Sequence, residues 1–104
     1  MNIEQYQQEC LRTANFTGAE TEIVCNMVMG VAGEAGEIVD YLKKVSFHGH
    51  HFEKDELIEE MGDLLWYVAV LTNYFNIDLE DVMKRNIIKL KERYPNGFDK
   101  QKSI

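Results

Sequence analysis

A helical apolar period with carboxylates set into it constrains this 104-residue chain more than any other feature. When the segment from Thr21 to Val45 is wound as an α-helix, Ile23, Met27, Val31, Ile38, Leu42 and Val45 share one face of about 100°. Glu34 falls inside that face and Glu37 on its edge. An unpaired carboxylate on a buried stripe costs on the order of several kcal/mol, a large share of a small domain's stability. Glu34 therefore needs a cation, a proton or a hydrogen-bonding network.

The segment from Lys54 to Phe75 repeats the pattern. Leu57, Met61, Leu64, Leu65, Val68, Leu71 and Phe75 form its apolar stripe, flanked by Glu60 and Asp63 with Tyr67 between them. Each segment thus carries an acidic pair at i, i+3, one turn apart and pointing the same way. Residues 38–59 separate Glu34/Glu37 from Glu60/Asp63, enough for a helix end, a loop and a helix start. An antiparallel hairpin would bring both pairs to one level. Four facing carboxylates repel unless divalent cations lie between them, and oxygen-only ligands select a hard ion, Mg²⁺ first and Mn²⁺ second. Acidic i, i+3 pairs are also common on solvated faces, and Glu56 and Glu59 read that way. The projection leaves both readings of the pairs open.

Around these segments the chain reads as all-α. A first helix is expected from about Asn2 to Asn15, the second from about Thr21 to Val45, and a loop over Ser46–Phe52. The third is expected from Lys54 to Phe75 and the fourth from Leu79 to Tyr94, N-capped by Asp78 and stopped at Pro95-Asn96-Gly97. One proline and seven glycines argue against disorder. The expectation is a single domain, residues 1–104, folded as a four-helix bundle. Trp66 lies opposite the stripe of the third helix, in the apolar run Leu64–Leu71. A helix apolar all round is buried all round, so a homo-oligomer with Trp66 and Val70 near the subunit contact is expected.

Eleven basic against eighteen acidic residues give a net charge of −7, which excludes bulk nucleic-acid binding. Cys10 and Cys25 form no CxxC and read as reduced thiols of a cytoplasmic protein. The polar start and the short apolar runs predict neither a signal peptide nor a membrane span.

The remaining candidates are less specific. Gly30, Gly33 and Gly36 interrupt the second helix, for ligand clearance or for close helix packing. On the fourth helix, Met83, Ile87, Leu90 and Tyr94 form a stripe bordered by Asn86, Lys89 and Arg93. Those polar groups suit either an anionic substrate or salt bridges to the acids. Lys44 is within reach of a phosphate, whereas Lys43 reads as a surface partner of the helix dipole. His48, His50 and His51 lack metal-ligand spacing and read as a polar loop, at most a lid touching substrate.

Three stretches carry a family resemblance: Gly33-Glu34-Ala35-Gly36-Glu37, then Glu59-Glu60-Met61-Gly62-Asp63-Leu64-Leu65, then Asn86-Ile87-Ile88-Lys89-Leu90-Lys91-Glu92-Arg93-Tyr94-Pro95. Their ExxE and ExxD pairs, over about residues 25–98, resemble the MazG-type nucleoside triphosphate pyrophosphohydrolases. The resemblance implies an all-α, dimeric or tetrameric enzyme. It would cut a nucleoside triphosphate between the α- and β-phosphates, with Mg²⁺ held by Glu34, Glu37, Glu60 and Asp63. It also implies that Lys89 and Arg93 contact phosphates, Asn86 positions them, and Tyr67 stacks on the base. The general base stays open among Glu34, Glu37 and Glu60, with Glu37 preferred for its place at the stripe edge. The alternative is a non-catalytic helical protein that binds nucleotides or partners, its acids holding a structural ion. A di-iron bundle is disfavoured because no Glu-x-x-His pair is present.

Overall fold

The computed structural model describes residues 1–103. Four α-helices and no strand occur among them: α1 (Ile3–Cys10), α2 (Glu20–Phe47), α3 (Lys54–Tyr74) and α4 (Leu79–Arg93), followed by a 3₁₀ turn at Lys100–Ser103. The expected all-α class is what the chain adopts. No described helix is long and apolar enough to cross a membrane.

Local chemistry sets the helix ends. Asn2 and Gln5 form a reciprocal capping box at α1, each side chain accepting the other's backbone N–H at 2.8 Å. The Asp78 carboxylate caps α4 as expected, accepting from the Glu80 N–H at 3.0 Å. The first helix stops at Cys10 rather than Asn15. Beyond it the backbone tightens into i to i−3 bonds from Leu11 to Ala14, and the Thr13 hydroxyl donates to the Cys10 carbonyl. The second helix runs two residues past the expected Val45, so Ser46 and Phe47 are helical and the loop begins at His48.

The core lies at one end of the α2–α3 hairpin. Cys10, Ile23, Met27, Ala69, Val70 and Leu79 are its buried members, with Ile3, Tyr6, Val24, Trp66, Val68 and Leu71 packed around them. A polar bracket ties it together. The Gln7 amide donates to the Thr72 hydroxyl at 3.1 Å and to the Ile77 carbonyl at 2.7 Å, while its oxygen accepts from the Leu79 N–H at 3.0 Å. This buried glutamine closes the α3–α4 connection onto α1 and leaves none of its own polar atoms unsatisfied.

That arrangement corrects two expectations. Val70 is 2% exposed and covered by the chain's own core, so its burial needs no second copy. Trp66 is half-buried, and its indole N–H donates to the Thr13 hydroxyl at 2.9 Å, so the segment after α1 covers the face assigned to a second copy. Several residues read as core are instead uncovered: Leu42, Met61, Leu65, Phe75, Met83, Ile87 and Leu90. The cause is topological. α1 is only eight residues long and covers one end of the hairpin, while α4 packs against α1 rather than along α2 and α3. The radius of gyration, 16.7 Å, exceeds the roughly 13 Å of a compact domain this size.

Two side chains in the α1 region give an early check. Burial pushes the Cys10 thiol above its ordinary pKa, whereas Cys25 is exposed. Burial first, then the Cys10 thiol and the Asp63 charge, push the Tyr6 phenol up to about 12. A disulfide-exchange reagent should therefore label Cys25 quickly and Cys10 only as the protein opens, at least about a hundredfold more slowly. In an alkaline ultraviolet titration, one of five tyrosines should ionise last. Because the folded pKa is raised, the unfolded chain loses this proton first, and Tyr6 withdraws stability as pH climbs from about 10 to 12. Equal labelling of both thiols would contradict this packing.

Candidate metal and nucleotide site

The register of α2 against α3 decides what the acids can do. The Tyr67 ring lies directly on Gly30, where a Cβ would collide with it. Twelve residues apart across the turn, the Tyr41 hydroxyl accepts from the Glu53 N–H at 2.6 Å and donates to the Glu53 carbonyl at 3.1 Å. These two points pin an antiparallel hairpin, in which each step up α2 is matched by a step down α3. Glu34 is thereby set level with Asp63, and Glu37 with Glu60.

Glu34, Glu60 and Asp63 each turn a carboxylate oxygen into one cluster, those oxygens lying within 4.8 Å of one another. Glu34 and Glu60 are half-buried and Asp63 is exposed. Glu34 thus faces the cleft between the helices rather than the core its projection suggested. Among the described residues, no lysine, arginine or histidine pairs with these acids, and none accepts a hydrogen bond on its side chain. Desolvation first, then the charges of Glu37, Asp63, Glu34 and Glu59, push the Glu60 carboxyl above its ordinary range. Clustered carboxylates without a protein counter-charge suit a small hard cation. Oxygens on one Mg²⁺ sit about 2.1 Å from it and so up to about 4.2 Å apart, which small side-chain rotations of this trio reach. The donor set fits.

Glu37 lies outside the trio. It is exposed, close enough to raise the Glu60 pKa, and shares with Glu60 an adjoining cleft of about 350 Å³. Asp40, Tyr41, Lys44, His50, His51 and Glu56 complete that cleft. Lys44 holds Asp40 at 3.0 Å and Lys43 holds it at 3.3 Å, which keeps the Asp40 carboxyl below its usual range and raises Lys44. The sequence reading passed over Asp40 and Tyr41 and took Glu56 for a solvated face. The available signal was the i, i+4 pair Asp40/Lys44, one turn past Glu37 on the same face of α2.

The other candidates fall elsewhere. Tyr67 is half-buried between Gly30 and Trp66, whose ring meets it edge-on at 4.9 Å. Gly30 therefore serves close packing, whereas Cβ atoms at Gly33, Gly36 and Gly62 would meet nothing. Asn86, Lys89 and Arg93 are exposed on α4 and none lines the acidic cleft or pairs with an acid of α2 or α3. The structure does not bring them to the trio within one chain.

Comparison with known proteins agrees with this geometry. The model of the MazG nucleotide pyrophosphohydrolase domain matches residues 24–98, which contain both acidic pairs and α4. The chain is 35% identical to Gene 37 protein of Mycobacterium phage L5, over 93% of this chain and 92% of that protein. It is 48% identical to the uncharacterized protein YvdC of Bacillus subtilis (strain 168) over 43% of this chain and 42% of that one. No solved structure matches it. With its paired carboxylates on an antiparallel hairpin and a match over most of its length, the chain belongs to the MazG nucleotide pyrophosphohydrolase domain family.

Proposed function

We propose that the chain is a single-domain, Mg²⁺-dependent nucleoside triphosphate pyrophosphohydrolase, with Mn²⁺ as a substitute ion. The observation that carries this is the trio Glu34, Glu60 and Asp63, convergent and without a protein cation. In the proposed reaction a water oxygen forms a bond to the α-phosphorus and the bond to the α–β bridging oxygen breaks. Pyrophosphate leaves with that electron pair, and a nucleoside monophosphate remains. Bound Mg²⁺ would supply charge neutralisation for the triphosphate. Glu34, Glu60 and Asp63 would hold it. Glu37, beside the trio but not in it, is the preferred acceptor of the water's proton; Glu34 and Glu60 are the alternatives. Tyr67 would meet the base with the part of its ring that Gly30 leaves open.

Asn86, Lys89 and Arg93 are proposed phosphate ligands, and their place on α4 bears on assembly. The apolar residues of α4 and of the outer α2–α3 face are uncovered in one chain. A homodimer or homotetramer would cover them and is the proposed state, with α4 of one copy meeting α2 and α3 of another.

The test is a panel of ordinary, deoxy and modified nucleoside triphosphates assayed with Mg²⁺. Release of pyrophosphate with monophosphate, abolished by a chelator and restored by Mg²⁺ or Mn²⁺, is the expected result. Metal binding with no turnover across the panel would favour the non-catalytic binding protein.

A further inference from the structure

His50 and His51 have no part in the site described above, yet they stand on the cleft that Glu37 and Glu60 share. Their loop is built rather than loose. Gly49 makes the reversal after α2 with φ +73°, a left-handed turn that favours glycine. The His50 N–H then donates to the Lys44 carbonyl at 3.2 Å, fixing the loop to the end of α2. At the other end Tyr41 holds Glu53 through both of its backbone groups, and the Tyr41 and Phe52 rings lie 6.3 Å apart. Residues 48–53 are thus fastened at both ends beside the cleft.

The two ends of the cleft differ in chemistry. One carries Glu37 and the proposed metal ligand Glu60. The other, about two turns further along α2, carries the Lys44 ammonium and the two imidazoles of the loop, all hydrogen-bond donors. Asp40, the acid among them, is already neutralised by Lys43 and Lys44. Glu56 on the rim and Glu53, whose carboxylate lies 4.0 Å from the His51 imidazole, are the remaining adverse charges. A ligand spanning the cleft from end to end has to be cation-bearing at one end and anionic at the other, which describes a magnesium polyphosphate.

We propose that His50 and His51, together with Lys44, form the seat for the pyrophosphate portion of the substrate and so select for phosphate chain length. This rests on the reading of the acids as a triphosphate-hydrolysing site. In this seat the donors bind the leaving portion and take no part in moving the water's proton. Hydrogen bonds to a charged phosphate are among the stronger ones, and losing two weakens binding by about tenfold or more.

The experiment uses magnesium pyrophosphate as the probe, titrated calorimetrically into the wild-type chain and into a His50→Ala/His51→Ala variant. The variant should bind it at least about tenfold more weakly, with thermal stability and Mn²⁺ affinity unchanged. The same variant should lose about tenfold in kcat/KM on a nucleoside triphosphate. Equal pyrophosphate affinity in the two proteins overturns the proposal, as does failure of the wild type to bind it. A parallel loss of Mn²⁺ affinity also overturns it, because the loop would then serve the metal. If no triphosphate is turned over, the enzyme reading fails, while the pyrophosphate titration still decides the binding seat.

Discussion

Glu60→Gln should lower pyrophosphate release by about a thousandfold or more without unfolding the protein. The substitution keeps the shape and removes the charge on which the proposed site depends. Desolvation first, then the charges of Glu37, Asp63, Glu34 and Glu59, raise the Glu60 pKa. Removing one charge from that group relieves repulsion. The metal-free variant should therefore melt no lower than the wild type, and higher near neutral pH. The sign follows from linkage. The raised pKa means that the folded protein holds this proton more tightly than the unfolded chain. Its contribution to stability is then fully present below the ordinary glutamate range and is lost as pH rises through the raised value. Divalent metal should reverse that loss in the wild type but not in Glu60→Gln. Parallel melting curves with and without Mg²⁺, and an assay of each protein, read both halves. A variant that melts early would move the effect from the chemistry to the fold.

Gly30→Ala should destabilise the chain by about 2 kcal/mol, although alanine is the better helix former. Helix propensity favours the alanine by roughly 1 kcal/mol. Against this, its Cβ would occupy space filled by the Tyr67 ring, so α2 and α3 must part or the ring must leave. Overpacking of this kind costs about 1–3 kcal/mol, and an overlap with ring carbons sits at or above the upper end. The net loss corresponds to a fall in melting temperature of roughly 10 °C. Tyr67→Ala in the same chain should make Gly30→Ala harmless or slightly stabilising, since only the propensity term is left. A double-mutant cycle measures this coupling. By contrast, Gly33→Ala and Gly36→Ala meet no atom within the chain. The Tyr67 contact also pins the level of Glu34 against Asp63, so Gly30→Ala should weaken metal binding even in the fraction that stays folded.

The sequence disclosed the parts of the fold that depend on period and left hidden those that depend on what covers a face. The stripes of α2 and α3 were legible because Ile23, Met27, Leu57 and Val68 recur at helical spacing. Their acids were legible because four ligand candidates sit on two consecutive helices, where one hairpin register fixes all of them. The bounds of α3 and α4 were readable to within a residue, since Asp78 and Pro95 mark them in a way the backbone obeys.

The misreadings share a cause. An apolar stripe says that a face wants cover and does not name the cover. Trp66 and Val70 suggested a second copy, but the short α1 and the turn after it reach that side, through Thr13 and the core residue Cys10. Met83 and Ile87 suggested an internal bundle face, yet α4 leans on α1 and leaves them open. Gln7 carries little apolar signal, and its three hydrogen bonds at the centre of the molecule depend on partners 65 to 72 residues away. At the site, Asn86, Lys89 and Arg93 border the stripe of α4 in projection, but the register of α4 against the hairpin is a tertiary fact that no single-helix projection contains.

The most direct test is to locate the ion. In crystals grown with Mn²⁺, anomalous scattering should place a manganese between α2 and α3, with oxygens of Glu34, Glu60 and Asp63 at about 2.0–2.3 Å. Crystals of Glu60→Gln under the same conditions should lack the peak. A well-ordered structure with those three side chains turned apart into solvent and no ion between them, or with manganese held only by other residues, would contradict the account.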